Sequence, residues 1–181
     1  MKKRNVGIMK MMIIYLITLL FILTGCSVQK TNTIHLIPEG YEGNLVVIYN
    51  VEGKPPLKTK DGYQVVQYND KGIALTSTPD AYYGTVNDKY FYVNPFSKRK
   101  EISQQCVFSA PNGSTQYNGG REFPFSHLIV TNDKKQCSHN FEVNGPRNLN
   151  IKDVEEIIKQ ELINSKTVNL SSFQKQYSLS F

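Results

Sequence analysis

The chain has 181 residues, with 21 Lys plus Arg against 15 Asp plus Glu, a formal charge of +6 and a pI near 9.1. With 11 Tyr, 9 Phe and 20% charged residues it is too aromatic for a disordered chain and too polar for a multi-spanning membrane protein. The length suits one domain with a short appendage, and the excess of base raises the question of an acidic partner such as nucleic acid.

The N-terminus answers that question. Lys2, Lys3, Arg4 and Lys10 precede an apolar run of thirteen residues, Met11 to Leu23, which ends in Thr24-Gly25-Cys26. A basic start, a short apolar stretch and small residues at a cut site are the parts of a secretory signal. A membrane-spanning helix needs about 20 apolar residues, so the run is short for an anchor of its own. Residues 1–25 carry four basic residues and no acidic one, so the chain from Cys26 onward has 17 basic against 15 acidic, a net of +2. The basicity belongs mostly to targeting, and the case for nucleic acid goes with it.

Leu23-Thr24-Gly25-Cys26 resembles the lipobox of bacterial lipoproteins. That resemblance implies cleavage after Gly25, a diacylglyceryl group on the Cys26 thiol, and attachment to the extracytoplasmic face of the cell membrane. Two acyl chains hold a protein where one binds only reversibly, because each buried methylene contributes about 0.8 kcal/mol. Residues 26–33 then read as the lipidated cysteine and a polar linker, 34–145 as a β-rich domain, and 146–181 as a helix and tail packed on it.

Past the linker, short apolar or alternating runs are cut by turn residues. Thr33 to Ile37 leads into Pro38-Glu39-Gly40, and Leu45 to Tyr49 is a β-branched run buried on both faces. Tyr63 to Tyr68 and Ile73 to Thr76, joined by Asn69-Asp70-Lys71-Gly72, predict a hairpin. Lys89 to Val93, Gln105 to Ser109 and His127 to Thr131 complete the strands. Asn112 to Arg121 is a polar, Gly-rich loop. The pattern is mainly β, an antiparallel sandwich-like fold. One segment has helical spacing: Ile151, Val154, Ile157, Ile158 and Leu162 share a face, predicting an amphipathic helix over 150–163 with Asn150 as its cap. Thr167 to Phe181 alternates loosely, as a last strand would.

Two cysteines remain after lipidation, Cys106 and Cys137. Outside the membrane an even pair reads as a disulfide, whose closure of a 31-residue loop stabilises by roughly 3 to 4 kcal/mol in the chain-entropy model. Free thiols are an alternative. A metal held with His127 and His139 is another, although no pair has the usual zinc spacing, and no metal or cofactor is expected.

Ser126-His127 cannot be a nucleophile and its base, since neighbours on a strand face opposite ways. Lys98-Arg99-Lys100 reads as a solvated turn. Of the tyrosine-rich set, Tyr90, Tyr92 and Tyr117, with Arg121, are the candidates for a binding surface, against the plainer role of core aromatics. No catalytic set emerges. The function that fits is a membrane-anchored, non-enzymatic module binding an envelope protein or wall polymer. A cell-surface hydrolase acting on wall material through carboxylates far apart in sequence is the alternative.

The stretch Ile37-Pro38-Glu39-Gly40-Tyr41-Glu42-Gly43 running into Leu45 to Tyr49 is similar to a family of uncharacterised bacterial lipoprotein domains. So are Gly53 to Leu57, Asp61-Gly62-Tyr63, Asp70 to Thr76 and Tyr83-Gly84-Thr85, and, more loosely, Gly119-Gly120-Arg121 with His127 to Thr131. The likeness spans Ile34 to Lys134 and consists of turn and strand residues. It implies a shared fold and no particular activity. In physical terms Pro38 fixes φ, Gly40 and Gly43 permit positive φ, and Tyr41 can lie over the strand that follows.

Overall fold

The computed structural model describes residues 11, 32–96, 98–117, 120–146 and 154–165. The leader, Cys26, the proposed cap Asn150 and the proposed last strand after residue 166 lie outside the described residues.

Among the described residues ten strands form two five-stranded sheets. The first has the order β3 (Lys58–Lys60), β4 (Tyr63–Gln67), β1 (Thr33–Pro38), β6 (Lys89–Val93), β7 (Arg99–Ile102). The second has the order β5 (Ile73–Leu75), β2 (Gly43–Ile48), β10 (Arg121–Val130), β8 (Val107–Ser109), with β9 (Gly113–Tyr117) also on β10. The mainly β expectation holds, but strand direction is mixed. β1 runs parallel to both β4 and β6, and β2 runs parallel to β5. Parallel neighbours need a crossover, and here strands of the opposite sheet supply it: β2 lies between β1 and β4 in the chain, and β3 and β4 lie between β2 and β5.

That alternation explains why the predicted hairpin over 63–76 does not form. The turn at 69–72 carries the chain from β4 in one sheet to β5 in the other. Asn69 Oδ1 accepts from the N–H groups of Lys71 and Ile73, an Asx-type arrangement that a two-strand reversal does not need. The segment 112–121 is likewise no open loop, because Gly113–Tyr117 pairs antiparallel with Arg121–Phe125.

Strand alternation divides the apolar residues between two layers. Ile37, Val66, Tyr90 and Ile102 of the first sheet meet Leu45, Val47, Val107, Leu128 and Val130 of the second in a core between the sheets. The other face of β2, Val46 and Ile48, packs with Phe123 under helix α2 (Val154–Asn164) through Ile158 and Leu162, both fully buried. The double-sided burial of β2 is therefore a sheet core on one face and a helix on the other. A short helix α1 (His139–Asn144), without a helical period in the sequence, starts at Ser138, whose hydroxyl accepts from Phe141 N–H. Cys106 and Cys137 are joined in a disulfide with Cα atoms 4.3 Å apart, tying the turn before β8 to the start of α1. Neither sulfur is left for a metal.

Candidate functional site

A 790 Å3 cleft lies between the β1–β2 connection and α2. One wall is Tyr41 to Asn44 with Lys71 and Ile73; the other is the α2 face of Glu156, Ile157, Gln160, Glu161 and Asn164. The volume lies in the range of small-ligand and peptide-side-chain sites.

Tyr41 builds the first wall. Its hydroxyl points at two carbonyl oxygens, Asn44 O at 2.6 Å and Lys71 O at 3.0 Å, so the Pro38–Gly43 turn is locked to the 69–72 turn. Burial pushes its pKa up, which keeps the donating proton in place. Tyr92 reaches over from β6 and donates to Tyr41 O at 3.0 Å. Gly72 has φ +76° and no room for a Cβ, which would collide with Tyr41 Oη and Asn44 O. Tyr41 does meet the strand that follows it, at Asn44 O, and in addition reaches the 69–72 turn, which the sequence does not show.

Polar groups around the cleft are engaged with neighbours. Glu42 accepts from Thr131 Oγ1 at 2.8 Å, Glu161 meets Lys71 Nζ at 3.3 Å, and Glu156 accepts from Gln160 Nε2 at 2.8 Å. Behind Asn44, His127 is 7% exposed with Nε2 2.9 Å from Asn44 Oδ1. Burial lowers its pKa, so a neutral ring with the proton on Nε2 donates to that oxygen. Three carboxylates, one ammonium, two isoleucines and several amides make the cleft amphipathic and net acidic. It suits a partner offering amide or ammonium donors beside an apolar group.

The sequence-selected residues are dispersed. Tyr90 is 3% exposed and stacks on His35, with centroids 5.0 Å apart, inside the core. His35 lies between Tyr68, whose hydroxyl is 2.9 Å from Nδ1, and Asp88, whose carboxylate is 3.5 Å from Nε2. Tyr68, Asp88 and His35 have the order of a proton relay, but the imidazole is shut within the sandwich, where its work is cohesion. Arg121 donates to Glu52 Oε2 at 2.8 Å and to Asn50 O at 2.9 Å. Tyr117 tilts against Phe123 and reaches Glu155 O at the start of α2. Tyr117 and Arg121 thus sit together at the β9–β10 hairpin, apart from Tyr90 and Tyr92. Among the described residues no group of three or more His, Cys, Asp and Glu is arranged to hold a metal.

Residues 29–141 match the model of a family of unknown function, DUF6843. The chain belongs to that family. The crystal structure of a candidate lipoprotein from Bacillus anthracis has the same fold, with a TM-score of 0.67 and 36% identity, covering 77% of this chain and 95% of that one. None of the curated proteins matches. The DUF6843 span contains Tyr41, Gly72, Tyr92 and both cysteines, and stops before α2. One wall of the cleft thus belongs to the DUF6843 domain and the other to the segment that follows it.

Proposed function

We propose that this DUF6843 chain is a lipoprotein anchored through Cys26 on the extracytoplasmic face of the cell membrane. There it acts as a non-enzymatic module that binds an envelope protein or wall polymer in the cleft between Tyr41–Asn44 and α2. The observation that supports this most is the pairing of a lipobox-like Leu23-Thr24-Gly25-Cys26 with a domain that resembles a candidate lipoprotein along almost all of that protein's length. Tyr117 and Arg121 extend the proposed surface beyond the N-terminal end of α2. Anchoring raises the local concentration of the cleft near envelope partners. The hydrolase alternative finds its carboxylates in the same cleft, but Glu42, Glu156 and Glu161 are each committed to a neighbouring side chain.

A photo-crosslinking residue at Gln160, exposed on the cleft wall, tests the proposal on intact cells. A discrete adduct from position 160 and none from Lys135, which lies on the turn after β10, is the expected outcome. Equal capture from both positions, or capture from neither, contradicts it.

A further inference from the structure

We propose that the outer face of the first sheet rests on the anionic headgroups of the same membrane, an inference that deepens the lipid-anchored proposal. On β1, His35 and Ile37 point into the sandwich, so Ile34 and Leu36 point outward. The strand registers set Val65 beside Ile34 and Phe91 beside Leu36; Ile34 and Leu36 are themselves buried, so the apolar groups this face shows are the half-buried Val65 and Phe91.

Its borders are basic. Lys58 pairs with Val65 and Lys60 with Tyr63 on one edge, and Arg99 pairs with Val93 on the other. Lys89 Nζ lies 4.5 Å from the Tyr63 ring centre, and the Arg99 guanidinium lies 5.9 Å from that of Phe91, so the cations share the face of the rings. All four cations are exposed; Glu101 on β7 turns the same way, and Glu39 and Asp70 rim the face at the Leu36 end of β1. Helix α2 covers the outer face of the second sheet, so the two sides of the molecule differ.

Two features select a bilayer as the occupant. Long Lys and Arg stems that lie along apolar surface and end in cations, with Tyr and Phe between them, match a headgroup layer that is anionic above and apolar below. The chain also leaves the sheet from its central strand. Six residues, 27–32, separate Cys26 from the start of β1, a reach of at most about 20 Å, so an anchored domain stays within one molecular diameter of the lipid.

The test uses the protein purified from the membranes of cells that produce it. It is mixed with vesicles of phosphatidylcholine alone, or of phosphatidylcholine and phosphatidylglycerol in equal parts, and labelled with an amine-reactive reagent read residue by residue by mass spectrometry. Labelling of Lys58, Lys60 and Lys89 is expected to slow about fivefold on the anionic vesicles, and to recover in high salt, while exposed Lys134 and Lys135 label equally on both. Flotation separates the two proposals. Protein that floats with both vesicles but shows no selective protection overturns the face and leaves the anchor. Protein that floats with anionic vesicles alone supports the face and overturns the anchor. Protein that floats with neither overturns both.

Discussion

The hydroxyl of Tyr41 occupies the space that a side chain at Gly72 would need. The contact joins two stretches thirty residues apart, Pro38–Gly43 and Asn69–Gly72, and makes them one wall of the cleft. It explains why a tyrosine between two glycines and a glycine before a strand occur together in this chain. Replacing Gly72 with Ala adds a clash to a backbone at φ +76° and should cost about 3 kcal/mol in urea unfolding. Tyr41→Phe leaves the space filled but removes the donor to Asn44 O and Lys71 O, for a smaller loss of about 1 to 2 kcal/mol.

The disulfide gives a second expectation. Reducing it, or replacing both Cys106 and Cys137 with Ser, should lower stability by about 3 kcal/mol, because the 31-residue separation is then unconstrained in the unfolded chain. Thermal unfolding with and without reductant checks this, and the double Ser variant should be insensitive to the reductant.

Helix α2 supplies the other wall only if its apolar side stays docked. Leu162→Ala removes a fully buried side chain against Val46, Ile48 and Phe123 and should cost about 3 kcal/mol. The loss should be concentrated in α2 and seen as faster amide exchange there. Lys71→Ala, by contrast, breaks an exposed ion pair with Glu161 and should cost less than about 1 kcal/mol.

Much of this architecture was legible in the sequence. Leu45 to Ile48 is apolar on both parities because it has a sheet core on one side and Ile158 and Leu162 on the other, and that burial on two faces could be read from the residues alone. The spacing of α2 was equally plain, since Val154, Ile157, Ile158 and Leu162 repeat with a helical period. Strand direction was not legible. Asn69-Asp70-Lys71-Gly72 has the composition of a hairpin turn, and only the long-range contacts of Gly72 with Tyr41 and Asn44 send the chain to the other sheet. α1 escaped because six residues are too few to show a period. The cleft was invisible for a related reason: its walls come from segments more than eighty residues apart.

Stability should fall at both ends of the pH scale. His127 has its pKa lowered from 6.5 by burial, so the unfolded chain binds more protons than the folded one just below that value. Its contribution is present above pH 6.5 and is lost as pH drops through 6.5 toward the lowered value. Tyr49 and Tyr92 are pushed up to about 12 from an ordinary 10, and Tyr68 and Tyr90 are raised too, all chiefly by burial. The folded chain then holds protons that the unfolded chain releases, and stability is lost as pH rises above 10. Phenolate absorbance should show these four ionising only above pH 10 or together with unfolding. His127→Gln should flatten the acid limb alone.

The central claim is the anchor at Cys26, and it is tested most directly by the N-terminal peptide of the protein extracted from membranes. Mass spectrometry should find a chain that begins at Cys26 and carries a diacylglyceryl group on its sulfur, and Cys26→Ser should abolish both the cleavage and the lipid. A chain that keeps residues 1–25, or a Cys26→Ser protein that is still cleaved and remains with the membrane fraction, contradicts the account.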